Sequence, residues 1–361
     1  MTMQEFGTVA AALTAALIVT LLTTPVVKNL AQKWGAVDVP KDNRRMHNHP
    51  IPRMGGLAIF FGFLLSTLLF VEITPQMRGM LLGAVVIVVL GIFDDIYALG
   101  AKLKFVIQIV AALIAVLSGN IITTLSNPNV FSASPYWNLD WLSIPVTVVW
   151  IVAITNAVNL IDGLDGLAVG VSTISSMTLL VIALVVSEGQ VALLMAALAG
   201  ACIGFLPYNI NPAKIFMGDT GSTFLGFILA VVSIQGLFKF YTIISFAVPF
   251  LMLGLPIFDT CFAFIRRIAH GQSPMQADRS HVHHRLIDMG FSQKQAVAVL
   301  YVISAILGLS AVVLTTSGPL KAMLLLFALC VAGAVAARLF LAGNEKHEEI
   351  SAEAGKEEEQ S

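Results

Sequence analysis

Long apolar runs alternate with short polar stretches along nearly the whole sequence of 361 residues. A helix needs about 20 apolar residues to cross the hydrocarbon core of a bilayer. Eleven runs approach that length, at 6–29, 54–72, 78–93, 104–124, 144–160, 167–186, 190–208, 222–238, 241–265, 294–316 and 320–341. The pattern therefore predicts an all-α polytopic membrane protein with about eleven transmembrane helices.

The distribution of lysine and arginine predicts how these helices are oriented. No basic region precedes the first apolar run, which favours a retained span over a cleaved signal peptide, and Lys28 follows that run. Because cytoplasmic loops carry an excess of positive charge, we expect the N-terminus outside and the C-terminus in the cytoplasm. Of the 20 lysine and arginine residues, this arrangement leaves only Arg78, Lys239 and Lys321 outside.

The chain divides into one long apolar part and one short charged end. Residues 1–343 are expected to form a single transmembrane domain. Residues 344–361 hold seven glutamates and two lysines, and we expect them to form an acidic, disordered cytoplasmic tail.

Composition supports a membrane protein and narrows its partners. Hydrophobic residues make up 57% of the chain and charged residues 11%, with a mean hydropathy of +0.88, whereas a soluble domain carries about a quarter charged residues. The net charge of −1 excludes a globally basic nucleic-acid-binding protein. Cys202, Cys261 and Cys330 lie in apolar runs without metal-ligand spacing, so we expect buried small side chains.

Unusual polarity is concentrated in five loops that this topology places on the cytoplasmic side. The first, at about 30–53, is rich in basic residues and runs into P-I-P-R-M-G-G, with Arg53 as its last base. Such a loop can set topology or hold anionic lipid head groups. Its Pro-x-Pro-Arg-x-Gly-Gly ending is more ordered than either role needs, so Arg53 is also a candidate for chemistry.

The second loop begins with two adjacent carboxylates, Asp94 and Asp95, at the end of the third span. Carboxylates at a helix C-terminus face the negative end of the helix dipole. They also repel each other unless a cation or a phosphate-bound metal shares them. A pair placed where local physics disfavours it is a functional candidate, and Lys104 follows within the same short loop.

The third loop, at 156–168, concentrates two carboxamides, Asn156 and Asn159, and two carboxylates, Asp162 and Asp165. An ionised aspartate at the centre of a membrane helix costs roughly 2.5–3.5 kcal/mol on insertion scales. At a membrane edge these groups are either helix caps with turn chemistry or a binding site. If the segment is helical, the two carboxylates share a face.

The fourth loop contains Asn209 and Phe216 and ends in G-D-T-G-S at 218–222, where a helix is expected to begin. Asp219 or the neighbouring hydroxyl residues can cap that helix. Backbone amides at a helix N-terminus are also a natural anion site. Both interpretations stay open at this point.

The fifth loop carries His281, His283 and His284, followed by Arg285. Three histidines within four residues can bind a metal or donate to phosphate. Because no cysteine is near, phosphate or sugar contacts are favoured over structural zinc. Upstream, Pro256 is expected to kink or break the ninth span, with Asp259 available to satisfy the freed backbone groups.

The five loops together indicate a reaction class. Carboxylates mixed with lysine, arginine and histidine at one membrane face suit a phosphorylated substrate and a divalent metal. Carboxylates hold Mg²⁺ through oxygen, while bases neutralise phosphate oxygens and the metal screens charge that develops during transfer.

These motifs resemble those of the polyprenyl-phosphate N-acetylhexosamine-1-phosphate transferases, the group that includes the phospho-N-acetylmuramoyl-pentapeptide transferases. The resemblance covers about residues 20–310. It rests on Asp94-Asp95, N-x-x-N-L-x-D-G-x-D-G-L-A at 156–168, F-M-G-D-x-G-S at 216–222 and H-x-H-H at 281–284.

The resemblance implies that a lipid phosphate attacks the sugar-bearing phosphate of a UDP-sugar, so that UMP leaves and a lipid-linked diphosphosugar remains. It implies Mg²⁺ as cofactor, with Mn²⁺ as the alternative. Its implied partners are the UDP-sugar donor, undecaprenyl phosphate and the membrane, with a homodimer left open. The implied roles are catalysis by Asp94, Asp95 and Asp219; metal binding by Asp219 and Asp94; lipid-phosphate binding by Arg53 and Lys104; and nucleotide-sugar binding by Asn156, Asn159, Asp162, Asp165, Asn209, Phe216, His281, His283, His284 and Arg285.

The fifth loop also bears on the branch of the family. Pentapeptide transferases typically carry three consecutive histidines there, whereas H-V-H-H resembles the undecaprenyl-phosphate GlcNAc-1-phosphate transferases that start teichoic acid, lipopolysaccharide O-antigen or related envelope polymers. The implied location is the bacterial plasma membrane, with the active site on the cytoplasmic face. One departure is H-N-H-P at 47–50, where relatives often place a lysine, so the donor-binding role of the first loop stays open.

Two alternative functions are weighed against this interpretation. One is a phospho-N-acetylmuramoyl-pentapeptide transferase of peptidoglycan synthesis. The other is a secondary transporter, which fits the polar breaks and the proline but would place its polar groups near the midplane and has no internal duplication here to support it. A phosphate monoester is mostly dianionic at pH 7, so single displacement is preferred to a two-step route through an aspartate nucleophile.

Overall fold

The computed structural model describes residues 3–39, 50–126, 136–236, 244–269, 281–318, 320–321 and 323–327. Over these ranges the chain is almost entirely helical. The helices are α1 Met3–Trp34, α2 Gly56–Phe70, α3 Pro75–Tyr97, α4 Ala101–Leu117, α5 Ser143–Leu160, α6 Leu167–Val185, α7 Gly189–Asn209, α8 Gly218–Gly236, α9 Ile244–Met252, α10 Gly254–Ala269, α11 Val282–Asp288 and α12 Gln293–Ser317, with one turn of 3-10 helix at Asp140–Leu142.

Helix length and composition confirm an all-α membrane protein. Six helical segments are long and apolar enough to cross a bilayer: α1, α3, α5 together with the 3-10 turn before it, α6, α7 and α12. The predicted number of eleven spans and the orientation of the termini stay predictions. The acidic tail at 344–361 and most of the last predicted span, 320–341, lie outside the described residues.

The fourth predicted span, 104–124, is wrong at its C-terminal end. Helix α4 stops at Leu117, and Gly119 adopts φ +101° in the turn that follows. That left-handed conformation is open to glycine and strained for most other residues. Beyond it the chain enters a small antiparallel hairpin, β3 Thr124–Ser126 with β4 Tyr136–Asn138, which hydrophobicity alone does not distinguish from the end of a helix.

The ninth predicted span, 241–265, consists of two helices that meet at Leu253. Pro256 has no N–H to donate to the carbonyl of Met252, four residues earlier. Ser175 of α6 compensates, because its hydroxyl donates to that carbonyl at 2.7 Å. The expectation that Asp259 satisfies the freed backbone was therefore wrong, and its carboxylate has other partners, described below.

The cysteine expectation holds in part. Cys202 is buried in α7, but Cys261 is exposed on α10, and Cys330 lies outside the described residues. Exposure of Cys261 on this helix costs little, because the thiol is a small, weakly polar group.

Helix α8 is the central element of the bundle. It contacts α2, α3, α5, α6 and α7, and its residues 220–234 are all buried. Glycines bring the neighbouring backbones close to it: a Cβ on Gly56 would lie 2.0 Å from the Cα of Gly221, and a Cβ on Gly91 would lie 2.3 Å from the Cα of Thr220. Small residues permit such crossings in membranes, where close packing replaces the hydrophobic effect between helices.

The far end of α8 is also tied to its neighbours. Gln235 donates to Asn120, which follows α4, at 2.5 Å, and the indole of Trp150 on α5 donates to Ser233 at 3.2 Å. Asn120 is buried and donates in turn to the carbonyl of Gln76 at 2.9 Å. The helix is thus held by hydrogen bonds at this end as well as by packing.

A second short hairpin, absent from the predicted all-α pattern, organises the chain before α2. Strand β1, Val37–Asp38, pairs antiparallel with β2, Ile51–Pro52. The segment after β2 is bonded to the chain before α8: Phe216 N donates to Pro52 O at 2.8 Å and Gly55 N donates to Phe216 O at 2.9 Å. These bonds fix the position of Arg53.

The crossing between α3 and α8 generates a stability prediction. Gly91→Ala places a methyl group against the backbone of Thr220, which cannot move aside as a flexible side chain would. Overpacking of this kind costs about 1–3 kcal/mol. We expect the thermal midpoint of the purified protein in detergent to fall by several degrees.

Gly189→Ala is the matched control, because a Cβ there meets nothing within 4 Å. It is expected to keep the midpoint or raise it slightly, since alanine favours helix more than glycine. Equal midpoints for the two variants would contradict the close crossing.

Candidate active site

The predicted loops meet at one end of the bundle. Five parts of the chain contribute: the segment before α2, the α3–α4 connection, the α5–α6 turn, the α7–α8 loop and the stretch from α11 to the start of α12. Their meeting point is the N-terminus of α8, where the Gly218-Asp219-Thr220 segment begins the helix as the sequence predicts.

The N-terminus of α8 is held by Asp95 of α3. Its carboxylate accepts hydrogen bonds from the backbone of Asp219 at 3.0 Å and from the backbone and hydroxyl of Thr220 at 3.1 and 2.7 Å. The positive end of α8 therefore offsets the unfavourable position of this carboxylate at the C-terminus of α3. Gly218 adopts φ +70°, and a Cβ there would lie 2.4 Å from an Asp95 oxygen.

Asp94 points to different partners from those of its neighbour. It accepts from the backbone of Leu99 at 2.7 Å and from Lys104 Nζ at 2.9 Å. Its side chain is 7% exposed. The two adjacent carboxylates therefore do not share one cation: Asp94 pairs with a lysine of α4, and Asp95 caps α8 beside Arg53.

Asp219 is the point where the two cations converge. Lys104 Nζ lies 2.9 Å from one oxygen of Asp219, and Arg53 Nη2 lies 3.6 Å from the other. Arg53 also lies 3.4 Å from Asp95. Burial on its own lowers the pKa of Arg53, but Asp95 and Asp219 outweigh it and raise that pKa above its usual value.

A polar cavity of about 360 Å³ opens beside Asp219. Eight of the predicted site residues line it. They are Arg53, Asn159, Asp162, Asp165, Asn209, Phe216, Asp219 and His284.

Hydrogen bonds between loops hold the amide and carboxylate wall of this cavity. Asn159 accepts from Ser222 of α8 at 2.7 Å. Asp165 accepts from the side chain of Asn211 at 2.9 Å and from the backbone of Ala213 at 3.0 Å. Asn209 accepts from the backbone of Gly166 at 3.2 Å. Each of these bonds ties one loop to another, so the wall is fixed before any ligand arrives.

The turn at 161–166 resolves the capping alternative for Asp162 and Asp165. It is not helical, so the shared helical face predicted for the pair does not form. The N-cap of α6 is Gly166, which has no side-chain capping bond. Both carboxylates line the cavity instead. Burial, together with Asp219, raises the pKa of Asp162 to about 7.

The three histidines occupy different environments. His281 is buried and its Nδ1 lies 2.8 Å from Asp259 of α10. His283 is buried, and burial followed by the neighbouring His284 lowers its pKa to about 4. Among the three, His284 lines the cavity.

Several predicted site residues lie away from the cavity. Asn156 donates to Gln108 of α4 at 2.7 Å, and the guanidinium of Arg285 lies 5.1 Å from the ring centre of Phe262. Five further predicted site residues do not line the cavity but contact residues that do, or contact one another. They are Asp94, Asp95, Lys104, His281 and His283.

Two polar lining residues, Asp38 and Gln293, lie outside all the motifs from which the site was predicted. Asp38 lies in β1, which no motif marks. Gln293 follows Ser292, whose capping box with Gln295 opens α12, so the local sequence indicates only a helix start. Gln293 accepts from Asn211 at 2.7 Å, a residue between the family motifs.

The residues around Asp219 fit a divalent cation that is shared with a phosphate. No group of three or more His, Cys, Asp or Glu side chains in the described residues forms a complete metal site. Mg²⁺ commonly takes one or two carboxylates and completes its shell with water and substrate phosphates. Lys104 contacts both Asp94 and Asp219 at 2.9 Å, but Asp219 lines the cavity with its side chain 16% exposed, whereas the side chain of Asp94 is 7% exposed and does not line it.

Fold and site together define an integral membrane protein with a polar cavity at one end of an apolar helix bundle. Residues 77–237 match the model of glycosyl transferase family 4. A probable undecaprenyl-phosphate N-acetylglucosaminyl 1-phosphate transferase of Bacillus subtilis is 44% identical, over 91% of this chain and 91% of its own length. The chain belongs to this glycosyl transferase family, which confirms the resemblance drawn from its motifs.

Further relatives cover most of the chain with similar names. A decaprenyl-phosphate N-acetylglucosaminephosphotransferase of Mycolicibacterium smegmatis is 37% identical over 80% of this chain and 77% of its own length. An undecaprenyl-phosphate alpha-N-acetylglucosaminyl 1-phosphate transferase of Thermotoga maritima is 33% identical over 74% of this chain and 78% of its own length.

The raised pKa of Asp162 predicts a pH-dependent stability effect. The folded state holds this proton up to about pH 7, well above the usual aspartate value of 3.8. Between about pH 4 and about pH 7 the unfolded chain has released a proton that the folded protein still holds, so the free energy of unfolding falls as the pH rises through this range. Because Asp162 is half-buried and water in the cavity screens its charge, we reduce the loss that the pKa shift alone would give. The free energy of unfolding is then lower by roughly 2 kcal/mol above pH 7.

Asp162→Asn removes this penalty. We expect its thermal midpoint in detergent and EDTA to exceed that of the wild type by a few degrees at pH 8 and to match it near pH 4. Asp165→Asn is the control, because it weakens two hydrogen bonds and is expected to lower the midpoint at both pH values. A benefit of Asp162→Asn that does not change with pH would contradict the assignment.

Proposed function

We propose that the protein transfers N-acetylglucosamine-1-phosphate from UDP-GlcNAc to undecaprenyl phosphate, releasing UMP and starting a cell-envelope polymer. The observation that carries this proposal is the convergence of Lys104 and Arg53 on Asp219 at the edge of a cavity walled by amides and carboxylates. The names of relatives from three bacterial genera share N-acetylglucosamine as the sugar and a polyprenyl phosphate as the acceptor, which is undecaprenyl phosphate in two of the names and decaprenyl phosphate in the third.

The donor is proposed to occupy the cavity. Asn159, Asp162, Asp165 and Asn209 supply hydrogen-bonding groups for the uracil, ribose and sugar, and Phe216 supplies an aromatic surface. Small-molecule sites combine an apolar surface with a few fixed polar groups in this way. The pyrophosphate then lies toward Asp219 and Arg53.

The acceptor phosphate is proposed to approach on the side of Lys104 and Asp94. An apolar groove of about 510 Å³ runs between α3 and α4, and its lining includes Leu99 and Leu103. Leu99 is bonded to Asp94 through its backbone, and Leu103 precedes Lys104. A groove without polar lining suits a polyprenyl chain, and its position supports an acceptor-side role for this pair.

Single displacement is the proposed route. An oxygen of the acceptor phosphate attacks the sugar-bearing phosphorus, and the bond from that phosphorus to the UMP oxygen breaks. The acceptor is mostly dianionic at pH 7 and needs no general base. An aspartate nucleophile requires an oxygen open to the substrate, but the Asp95 side chain is 0% exposed and that of Asp94 is 7% exposed. Asp219 lines the cavity, but its oxygens are paired with Lys104 and Arg53, and its proposed role is to hold the metal.

A divalent cation belongs to this proposal because positive charge is scarce. Among the described residues that form ion pairs at this site, Lys104 and Arg53 are the cations. The carboxylates they pair with are three: Asp94, Asp95 and Asp219. Asp219 would hold Mg²⁺, or Mn²⁺ in its place, against the donor pyrophosphate. When bound, such an ion neutralises the charge that develops on the phosphate oxygens during transfer.

The site is proposed to face the cytoplasm in a bacterial plasma membrane. The helices that end at the site alternate along the chain with helices that begin there. All the site loops therefore lie on the same side of the membrane. The positive-inside distribution of lysine and arginine supports the cytoplasmic orientation.

The two alternative functions receive less support. None of the relatives compared above is named for a muramoyl-pentapeptide substrate. A transporter would need its polar groups near the middle of the bilayer, whereas the polar cavity here lies at helix ends.

The decisive experiment is a transfer assay with the purified full-length protein in detergent. Radiolabelled UDP-GlcNAc, undecaprenyl phosphate and Mg²⁺ are expected to give lipid-soluble label and free UMP in equal amounts. UDP-MurNAc-pentapeptide is the parallel donor, and preferred turnover of it would replace the proposed branch with the pentapeptide one. Uptake of UDP-GlcNAc into proteoliposomes without a lipid product would favour the transporter.

Asp219 and Asp94 are expected to give different kinetic signatures. Asp219→Asn removes the carboxylate that lines the cavity, so turnover is expected to fall by at least about 10²-fold with a changed Mg²⁺ dependence. Asp94→Asn is expected to lower kcat with little change in the KM for UDP-GlcNAc, because Asp94 does not line the cavity. Asp140→Asn, an exposed substitution on the 3-10 turn, serves as a control. A large rise in donor KM for Asp94→Asn would move that residue to the donor side.

A further inference from the structure

Asp259 links α10 to the start of α11, and the proposed transfer reaction does not by itself explain this contact. One oxygen of its buried carboxylate accepts from the backbone of Val282 at 2.8 Å, and the other lies 2.8 Å from His281 Nδ1. Both contacts cross from α10 to the start of α11. The carboxylate of Asp259 therefore binds the first residues of α11 from a different helix.

Helix α11 depends on such a contact. It has seven residues, and helices this short are not stable on their own in water. Its N-cap residue, His281, makes no side-chain capping hydrogen bond. The carboxylate of Asp259 supplies the missing acceptor and places negative charge at the positive end of the helix.

A second set of contacts links the same helix to the 156–168 loop. The ring of His281 stacks on His283 with centroids 5.8 Å apart and an interplanar angle of 7°. His283 presses against the 156–168 loop, where a Cβ on Gly163 would lie 2.2 Å from His283 Nε2. The helix is thus held between Asp259 and Gly163.

His284 is the part of this arrangement that reaches the cavity. Its ring lies 4.3 Å from that of His283, centre to centre, and it shares the cavity wall with Asp162 and Asp219. Its direction follows from the position of α11. Two of the three histidines in the motif face other protein groups, and the third faces the space assigned to the donor.

We propose that Asp259 is a positioning residue for the transfer reaction: through His281 and the start of α11, it sets His284 against the pyrophosphate or sugar of the donor. This inference rests on the proposed function and deepens it. His281 and His283 are then packing and orienting groups rather than substrate contacts.

A double-mutant cycle on UDP affinity tests this role, with the full-length protein in detergent and calorimetry as the readout. His284→Ala is expected to weaken UDP binding about tenfold, and Asp259→Asn three- to tenfold. If Asp259 acts through His284, the double variant is no more than about twofold weaker than His284→Ala alone. Independent effects that multiply in the double variant would overturn the proposal, as would unchanged affinity for Asp259→Asn.

Asp288→Asn is the matched control. It removes a carboxylate from the exposed end of the same helix without touching the contact to His281. It is expected to keep wild-type UDP affinity, which separates the Asp259 contact from a general change in charge near α11.

A second pair of variants tests the arrangement without altering Asp259. Gly163→Ala pushes a methyl group into His283 and is expected to weaken UDP binding several-fold. His283→Ala vacates the same space, so adding Gly163→Ala to it is expected to cause no further loss. A full additional loss in that double variant would show that Gly163 does not act through His283 and would overturn this part of the proposal.

Measuring affinity and turnover together keeps the two proposals distinguishable. A wild-type protein that binds UDP but does not transfer GlcNAc-1-phosphate would refute the proposed function, and the affinities would still decide the role of Asp259. A wild-type protein that transfers normally, with an Asp259→Asn variant of equal KM and kcat, would refute the positioning role alone.

Discussion

The contact between Asp95 and the N-terminus of α8 is the constraint on which the site depends. The carboxylate of one helix satisfies the backbone donors of another, 124 residues later in the chain. Because these donors belong to Asp219 and Thr220, the same contact that begins α8 also fixes the direction of Asp219. Glycines at the crossings with α2 and α3 let the three backbones approach closely enough for it to form. The contact between α3 and α8 therefore determines both how these helices pack and where the Asp219 side chain lies.

Charge compensation follows from that arrangement. Lys104 and Arg53 come from different parts of the chain, yet both point at Asp219. Buried carboxylates so close together repel one another unless cations lie between them. The same two cations are suitably placed for phosphate oxygens, so the groups that stabilise the folded site are also the groups that the proposed reaction needs.

Hydrophobicity predicted the helices and the polar loops, because a bilayer imposes a minimum length on every span. Together with the distribution of lysine and arginine, it predicted that the five polar loops lie on the same side of the membrane. It could not predict that Asp95 caps a distant helix, since that contact depends on the crossing of α3 and α8 rather than on local sequence. The two-residue strands that hold Arg53 are too short to give a pattern, and Asp38 and Gln293 lie outside every motif. The histidine cluster illustrates the same limit: three histidines within four residues have different neighbours, which only the fold assigns.

The anchoring of α8 at its far end has a mechanical consequence. Gln235 binds Asn120 at one extremity, and Asp95 holds the first turn at the other. Because α8 is hydrogen-bonded at both ends, it cannot move along its own axis without breaking several buried hydrogen bonds at once. It serves as the fixed axis of the bundle, and any opening or closing of the cavity must come from the peripheral segments that lean on it.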